Sequence, residues 1–504
     1  MQKTIAILEV SRKQEYIFGS RKLKENARRS AEIAYVTSNS FFERAAGSEL
    51  YQEKNNFVYS GGGHTVLQFD TREDARAFVR KVTETAMREF AGLEMFAKLV
   101  GPEEYKDCHT PGEILKELSK QLEQKKSRRK EAFRYTAFGI EALDSENYTP
   151  VALDWTSREN LNIKLLDPPE GWYFPEDFKD LVYDTYEEKQ MSRDDNFLAV
   201  IHIDGNAMGA RVDKIYQKEK ESWEGCCKSL REFSTKIQHD FEQAFLEMVQ
   251  ELLRQNLSSS ILPVRPVILA GDDVCFVTAG CIGLECARIF LEKLSEKEIN
   301  GENYSACAGV AMVHRKYPFH LAYDLAEELC SSAKKFGAAL DGKSRISAMD
   351  WHIEFGQLKD NLEEVRKEYI TEDRNHLELR PVVVVNPDNC AVSAVSEYDY
   401  FKTMCKVLQD KKDSIARSKM KEWRTALKQG EVETEYFIRA REIEDVLYKG
   451  FDAEFRTETE KKEEYEKILK GEKSGRVEAF REVQGIKHSV FFDAIEMMDH
   501  AVFF

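Results

Sequence analysis

The segment that most constrains the fold places a glycine and two aspartates between two apolar runs. Residues 266–277 read Pro-Val-Ile-Leu-Ala-Gly-Asp-Asp-Val-Cys-Phe-Val, with β-favouring side chains on both sides of Gly271, Asp272 and Asp273. This pattern predicts a β-hairpin that turns at Gly-Asp-Asp. Two neighbouring carboxylates would then stand at the tip of the hairpin.

A third carboxylate follows another apolar run upstream. Residues 197–203, Phe-Leu-Ala-Val-Ile-His-Ile, predict a buried strand that ends at Asp204. If this strand is a neighbour of the hairpin, Asp204 converges with Asp272 and Asp273 at one edge of a sheet. Close carboxylates repel each other unless a divalent cation neutralises them, so this edge is a candidate metal site. Such a site suits phosphoryl or nucleotidyl transfer.

The same order of predicted elements occurs in the first hundred residues and again after residue 196. The first copy predicts a strand at 4–10, a helix reaching about 44, strands at 56–59 and 65–69, a helix at 72–90 and a strand at 95–100. The turn Ser60-Gly61-Gly62-Gly63-His64 joins the second and third of these strands. The second copy predicts a strand at 197–203, a long helix ending near 256, strands at 264–269 and 274–278, a helix at 284–294 and a strand at 305–313. Both copies read βαββαβ, which predicts an internal duplication of the ferredoxin-like plan.

The predicted fold class is therefore α+β, with two ferredoxin-like βαββαβ domains, a small insert domain and a helical C-terminal domain. The predicted domain boundaries are 1–100, 101–195, 196–355 and 356–504. The insert is rich in charge and proline and contains a predicted basic helix at 116–134. Residues 319–336 predict an amphipathic helix and residues 345–355 a further strand, and helical periodicity dominates after Glu397.

The overall composition excludes some classes of protein. The formal net charge of −16 argues against a protein that holds nucleic acid mainly through broad phosphate neutralisation. No apolar run approaches the roughly 20 residues that cross a bilayer, and the first residues predict a strand instead of a signal peptide. Ten cysteines without a Cys-x-x-Cys pair favour neither a disulfide framework nor a zinc site. We therefore expect a cytoplasmic protein without a membrane partner.

Several segments carry a family resemblance. In the second repeat they are Asp204-Gly205-Asn206-Ala207-Met208-Gly209, Ala270-Gly271-Asp272-Asp273 and Ser331-Ser332-Ala333-Lys334-Lys335. These segments resemble the palm domain of the large polymerase subunit of type III CRISPR effectors. More distantly, they resemble GGDEF diguanylate cyclases and class III nucleotidyl cyclases. The first repeat resembles that subunit's other, degenerate palm through residues 12–18, 20–22 and 59–63, and Leu379-Arg380-Pro381 with the helical tail resembles its last domain.

The chain also departs from this family. We expect no counterpart of the family's N-terminal HD nuclease domain, because the first predicted strand starts at residue 4. We also expect no zinc knuckle between the palms, because Cys108 is the only cysteine in that part of the sequence. Ala270 stands where the GGDD motif of the family has its first glycine. Alanine can adopt most conformations of a strand end, so this change does not exclude catalysis. The resemblance therefore implies a divergent or stand-alone relative.

The resemblance implies an enzyme that joins ATP into cyclic or linear oligoadenylates, which act as second messengers in antiviral defence. Asp204, Asp272 and Asp273 are then expected to be catalytic and to bind Mg²⁺ or Mn²⁺. Lys334, at the end of its helix, is expected on the triphosphate. Further nucleotide contacts are expected from Gly205, Asn206 and Gly271, and an acceptor ATP from the first palm through Ser60, Gly61 and Gly62.

The first palm is not expected to be catalytic. Glu9 stands in it where Asp204 stands in the second palm, but no acidic pair follows Gly63. A two-metal site therefore cannot be built there from the same positions.

Other functions stay open. A catalytically silent palm could bind nucleotides or a CRISPR ribonucleoprotein as a scaffold, although the acidic net charge weighs against the ribonucleoprotein and the intact acidic triad against silence. A dinucleotide cyclase that uses GTP is a third function, and a homo-oligomer is a further expectation. Each motif also has a plain structural alternative: a common Gly-Asp turn, an exposed helix lysine or a flexible glycine hairpin.

Overall fold

The structure is a computed structural model that describes residues 3–20, 22–90, 92–128, 163–186, 196–355, 361–387, 390–409, 415–455, 458–470 and 475–504. Within these ranges, each repeat contains one large sheet with helices packed against it, so the predicted α+β class is confirmed. None of the helices that are described combines the length and the apolar character that a bilayer crossing requires.

The first repeat folds as a ferredoxin-like sheet. Its strands are β1 (Thr4–Ser11), β2 (Phe57–Gly61), β3 (His64–Phe69) and β4 (Glu94–Val100), in the antiparallel order β2-β3-β1-β4. Its helices are α1 (Lys13–Ile17), α2 (Leu23–Val36), α3 (Asn39–Ala46), α4 (Glu53–Asn56) and α5 (Arg72–Glu89). The prediction of one helix reaching residue 44 was wrong. The chain breaks at Ser38, which is extended and whose side chain caps α3 by accepting the N–H of Phe41.

The insert contributes α6 (Pro111–Ser127), which corresponds to the predicted basic helix. Thr110 and Glu113 form a capping box at its start, and Ile114, Leu118 and Leu122 are buried on its inner face. This face packs on β1 and β4 of the first sheet. Residues 129–134 of the predicted helix lie outside the described ranges.

The second repeat builds a larger sheet. Its elements are β5 (Phe197–Gly205), α7 (Met208–Lys218), α8 (Trp223–Leu253), β6 (Val264–Ala270), β7 (Asp273–Ala279), α9 (Gly283–Ser295), β8 (Glu298–Ile299), β9 (Glu302–Asn303), β10 (Ala306–His314), α10 (Phe319–Asp341) and β11 (Ser347–Ile353). With β12 (Val382–Val385), the sheet has the order β12-β11-β10-β5-β7-β6. Its last four strands repeat the order of the first sheet. Because β12 pairs with β11, this sheet continues beyond residue 355.

The two faces of the second sheet are covered by different helices. Ala199, Ile201 and Ile203 of β5 lie in a core with residues of α8 and α9, whereas Leu198 and Val200 lie in a core with residues of α10. The predicted long helix after β5 is two helices, because Ser222 caps α8 by accepting the N–H of Gly225.

The two repeats pack against each other in a reciprocal way. Helix α8 of the second repeat contacts β2 of the first, and helix α2 of the first contacts β6 of the second. Across the first of these contacts, Trp223 Nε1 donates to Gln68 Oε1 at 2.7 Å and Arg231 Nε donates to the carbonyl of Val58 at 3.3 Å. Each repeat therefore covers the edge strand of the other, which brings their hairpin turns to a common cavity.

The C-terminal part is mainly helical, with α11 (Leu362–Lys367), α12 (Tyr398–Gln409), α13 (Arg417–Gln429), α14 (Glu431–Ala440), α15 (Ile443–Glu454), α16 (Thr459–Leu469), β13 (Phe480–Val483), β14 (Ile486–Ser489) and α17 (Phe492–Met497). A buried guanidinium joins this part to the second sheet. Arg380, just before β12, donates from Nη1 to Asp493 Oδ1 and to Glu496 Oε2, each at 2.9 Å. Both carboxylates lie on α17, so α17 is fixed against the sheet by charge-assisted hydrogen bonds.

We predict that Gly309→Ala destabilises the second repeat. A Cβ at residue 309 would lie 2.0 Å from the carbonyl oxygen of Ala326 on α10, so α10 would have to move away from β10. Such overpacking typically costs about 1–3 kcal/mol. Thermal unfolding should show a lower midpoint. Gly209→Ala, at a helical position with no neighbouring atom within 4 Å, is the matched control and should leave the midpoint unchanged or slightly higher. Equal midpoints for both variants would contradict the close approach.

Candidate active site

The register between β5 and β7 places two of the predicted carboxylates side by side. Asp204 and Asp273 are direct cross-strand partners. The Cβ atoms of such partners lie on one face of the sheet, about 4.5–5.5 Å apart. Asp272 occupies the adjoining turn, and its carbonyl accepts the N–H of Gly205 at 3.2 Å. The structure thus brings together the three aspartates that the sequence places on separate strand ends.

The turn that carries the aspartates needs a glycine. Strand β6 ends at Ala270 and β7 begins at Asp273, which leaves a loop of two residues. Gly271 has a φ of +72°, whereas Asp272 has no positive φ, the sign pattern of a type II′ hairpin. Ala270 pairs with Asp273 as an ordinary strand residue. The alanine in place of the family's first glycine is therefore compatible with this hairpin.

The acidic pair is electrostatically strained. Burial, followed by the charge of Asp204, raises the pKa of Asp272 from 3.8 to about 6. Burial, followed by the charges of Asp204 and Asp272, raises the pKa of Asp273 to about 7. Burial and, after it, repulsion from the neighbouring carboxylates both disfavour the ionised form of Asp272 and Asp273. A bound divalent cation would remove this penalty.

One buried carboxylate oxygen of Asp273 lacks a hydrogen-bond donor in the described part of the chain. Asp273 Oδ1 has no hydrogen-bond partner among the described residues, and neither does Nδ1 of His202, which lies 3.7 Å from it. Burial lowers the pKa of His202 to about 4, so this imidazole is neutral near pH 7. A buried carboxylate oxygen without a partner is a suitable ligand for a cation.

Lys334 neutralises the remaining aspartate. Its Nζ lies 2.6 Å from Asp204 Oδ2 and donates to the carbonyl of Gly205 at 3.0 Å. The expectation that Lys334 stands at the end of its helix was wrong. Helix α10 continues for two more turns to Asp341 and ends at Gly342, whose φ is +62°. Lys334 is therefore held within the helix beside the strand end that carries Asp204.

The carboxylates do not form a closed metal cage as their side chains stand. Among the residues that the structure describes, no group of three or more His, Cys, Asp or Glu side chains is close enough to hold a metal ion. Because Asp204 is paired with Lys334, a cage of three carboxylates requires side-chain rotation. The donor set is nevertheless the one that Mg²⁺ prefers, and the partnerless Asp273 Oδ1 fits a metal ligand.

Gly205 and Asn206 have structural contacts in this arrangement. A Cβ at Gly205 would lie 2.6 Å from Met208 Cε and 2.9 Å from the Cβ of Asp272, so a glycine is needed for close packing beneath the acidic turn. The side chain of Asn206 is buried, and its Nδ2 donates to the carbonyl of Ile346 at 3.0 Å. The nucleotide contacts expected from these two residues stay predictions.

A cavity of about 1160 Å³ lies between the two repeats. The acidic turn of the second repeat and helix α8 line one side of it, and the glycine turn of the first repeat, including Ser60, Gly61 and Gly62, lines the other. The Ser60 hydroxyl also donates to the carbonyl of His64 at 3.1 Å, which ties it to its own hairpin. The two turns that the sequence singles out therefore face a single cavity.

The first repeat carries a cationic counterpart of the acidic site. Glu9 and His64 are cross-strand partners, in the positions that Asp204 and Asp273 occupy in the second repeat. Burial lowers the pKa of His64 to about 4, so His64 is neutral near pH 7. Lys126 Nζ lies 2.8 Å from Glu9 Oε1, and Lys13 Nζ lies 3.9 Å from the same oxygen. As expected from the sequence, the described residues put no acidic pair at the first hairpin.

Sequence reasoning missed several residues of this cavity. Lys13 and Lys126 line it from the first repeat and the insert, Tyr323 lines it from α10, and Gln238 lines it from α8. Lys126 belongs to a basic cluster that the sequence does show, but nothing in the sequence places α6 beside β1. A contact between residues more than a hundred positions apart leaves no local pattern.

A family model gives this site its context. The model for the second palm domain of Cas10/Cmr2 matches residues 197–344. Over those residues the chain is similar to a Cas10/Cmr2 palm. The resemblance predicted from the sequence, to the large polymerase subunit of type III CRISPR effectors, is thereby confirmed for this part of the chain. The match includes all three aspartates and Lys334.

The chain is also similar to solved structures of Csm1–Csm4. The Csm1–Csm4 cassette in complex with one ATP is 15% identical with a TM-score of 0.43, over 67% of this chain and 54% of that one. The cassette in complex with cA3 is 14% identical with a TM-score of 0.41, over 67% of this chain and 53% of that one. The Csm1–Csm4 subcomplex of the type III-A CRISPR-Csm interference complex is 15% identical with a TM-score of 0.42, over 67% of this chain and 54% of that one. The chain therefore spans about half the length of these proteins. Among curated proteins, none matches.

We predict that divalent metal stabilises this protein above the pKa values of the acidic pair. At about pH 5 both carboxylates are protonated in the folded protein, and at about pH 8 both are ionised and free to bind metal. In thermal unfolding scans, Mn²⁺ should raise the midpoint at pH 8 and much less at pH 5. At a metal concentration about 100 times Kd, the stabilisation is about 2.7 kcal/mol.

The variant Asp272→Asn with Asp273→Asn is the control for this experiment. Because the folded pKa values lie above the usual 3.8, the two groups lose their favourable contribution to stability as the pH rises from about 4 to 7. Without metal at pH 8, the variant should therefore unfold at the same or a slightly higher temperature than wild type. A variant that keeps the full effect of Mn²⁺ would place the metal elsewhere.

Proposed function

We propose that this protein is a metal-dependent nucleotidyltransferase that joins ATP into cyclic or linear oligoadenylates, in antiviral defence. The observation that carries the proposal is the register pair Asp204–Asp273 beside Asp272, at a cavity whose opposite wall comes from the other repeat. The similarity of residues 197–344 to the Cas10/Cmr2 palm family supports the class of reaction.

Asp204, Asp272 and Asp273 are the residues that would hold Mg²⁺ or Mn²⁺. When bound, the metal would supply activation of a ribose 3′-hydroxyl and neutralisation of phosphate charge. The carboxylates have to be ionised for this, which the raised pKa values of Asp272 and Asp273 delay until about pH 7. Activity should therefore rise as the pH increases through about 6 to 7.

We propose that Lys334 changes partners during the reaction. Its ammonium pairs with Asp204 in the structure. If Asp204 held the metal instead, the charge of Lys334 would be available to the phosphates of the nucleotide. A positive charge at that position would stabilise the pyrophosphate as it leaves.

The cavity has room for an acceptor nucleotide beside the donor. Pockets for one small ligand usually measure about 300–1,000 Å³, and this cavity, at about 1160 Å³, is larger. We propose that Ser60, Gly61 and Gly62 approach the acceptor ATP, with Lys13 and Lys126 supplying charge for its triphosphate. Lys13 Nζ donates to the carbonyl of Gly62, which holds this lysine at the glycine turn.

A CRISPR effector complex is the partner that we propose, on the basis of the palm family. The net charge of −16 limits direct contact with RNA to local basic patches. The expected homo-oligomer stays a prediction.

Purified protein incubated with Mn²⁺ or Mg²⁺ and either ATP or GTP should yield oligoadenylates from ATP, as identified by mass spectrometry. Asp272→Asn with Asp273→Asn should abolish product, and loss of one acidic ligand should lower the rate about a hundredfold or more. Product from GTP alone would instead indicate the dinucleotide cyclase. No product from either, with metal bound, would indicate the silent scaffold.

We predict that Lys126→Met raises the KM for ATP about tenfold or more, since a charge-assisted hydrogen bond contributes about 1.5–3 kcal/mol. Lys120→Met is the matched control on the same helix, because its side chain is 67% exposed and it does not line the cavity. Initial rates over a range of ATP concentrations measure the effect. An unchanged KM in Lys126→Met would remove this lysine from the acceptor site.

A further inference from the structure

The side chain of Gln238 on α8 forms hydrogen bonds with the acidic hairpin. Gln238 Oε1 accepts the N–H of Gly271 at 2.7 Å, and Gln238 Nε2 donates to the carbonyl of Leu269 at 3.2 Å. The same Nε2 also donates to the carboxylate of Glu242, one turn further along the helix. Both ends of the side-chain amide are therefore used, and the bonds to Glu242 and Leu269 fix its orientation.

These contacts satisfy backbone groups of β6 and its turn that a further strand would otherwise pair with. β6 is the last strand of its sheet, and Ala270 is the register partner of Asp273 on β7. The carbonyl of Leu269 and the N–H of Gly271 instead bond to Gln238 of α8, on the side of β6 where the described sheet has no further strand. The amide of Gln238 offers them one donor and one acceptor, so it acts like one residue of a further strand.

We call the two hydrogen bonds between Gln238 and the backbone of Leu269 and Gly271 the clamp. The clamp lies directly beside Asp272 and Asp273 in the sequence. Gly271 is the residue with positive φ that precedes Asp272, so its orientation determines where both aspartates of the turn point. The clamp also occupies the N–H of Gly271, which is then not available to a phosphate. The sequence predicts that Gly271 contacts the nucleotide, whereas in the structure its N–H donates to Gln238.

We propose that Gln238 is a positioning residue, which fixes the Gly271 turn so that Asp272 and Asp273 can share a metal ion and align the reacting nucleotides. This role rests on the proposed function. Because Gln238 also lines the cavity, the competing role is a direct contact with the nucleotide. A contact of that kind would change the KM for ATP or the choice between ATP and GTP, whereas a positioning role changes metal affinity and kcat.

The test compares Gln238→Met, which keeps the length without hydrogen bonds, with Gln238→Glu, which keeps the acceptor for the Gly271 N–H. Outer partners of metal ligands typically contribute about 10–100-fold to metal affinity or activity. We expect calorimetric Mn²⁺ affinity and kcat to fall about tenfold or more in Gln238→Met and less in Gln238→Glu, with little change in the KM for ATP.

Gln409→Met is the matched control. The amide of Gln409 donates to the carbonyls of Met498 at 2.6 Å and Ala501 at 2.9 Å, far along the chain from the palm. This variant loses two hydrogen bonds from a glutamine amide to backbone carbonyls and should leave Mn²⁺ affinity and kcat unchanged. An equal effect in Gln409→Met and Gln238→Met would overturn the positioning role in favour of general destabilisation.

Hydrogen exchange separates this inference from the proposed function. The Gly271 amide should exchange slowly in wild type and fast in Gln238→Met, whether or not the protein makes product. If wild type binds Mn²⁺ but makes no product, the proposed function fails, and slow exchange with weaker Mn²⁺ binding in Gln238→Met still supports the clamp. Wild-type Mn²⁺ affinity in Gln238→Met, or a change confined to the KM for ATP, overturns it.

Discussion

The site depends on the pairing register of β5 with β7. Because Asp204 lies directly opposite Asp273, their side chains share one face of the sheet, and the two-residue turn places Asp272 next to them. A slip of one residue would turn each strand's side chains to the opposite face. The buried alternation of β5, with Ile201 and Ile203 on one face and Val200 on the other, fixes this register. The hydrophobic core therefore positions the charged site.

The second constraint is the reciprocal packing of the repeats. Each repeat covers the other's edge strand with a helix, so neither β2 nor β6 is left open, and the two hairpin turns face one cavity. The repeats then differ in charge at equivalent positions. One presents Asp204 and Asp273, and the other presents Glu9 and His64 with Lys126 close to Glu9. Under the proposed function, this asymmetry assigns metal binding to one repeat and the acceptor nucleotide to the other.

Local patterns predicted the strands and the acidic turn well. Alternating and continuous apolar runs gave β5, β6 and β7 within two residues of their observed ends, and Gly-Asp-Asp gave the hairpin. Two long helices were predicted wrongly, because Ser38 and Ser222 act as caps that break runs read as continuous. The short strands β8, β9 and β12 were not predicted. The side-chain partners were not predicted. The amide of Asn206 points to Ile346, and Lys334 lies in mid-helix beside Asp204.

By itself, the sequence determined the α+β class, the duplicated βαββαβ order and the identity of the three aspartates, because strand periodicity and turn chemistry are local properties. Only the tertiary structure decided that Asp204 is opposite Asp273, that Lys13 and Lys126 face the acidic turn across a cavity, and that Gln238 clamps Gly271. Those contacts join residues that are distant in the chain. They form through packing of the two repeats and leave no periodic signal in the sequence.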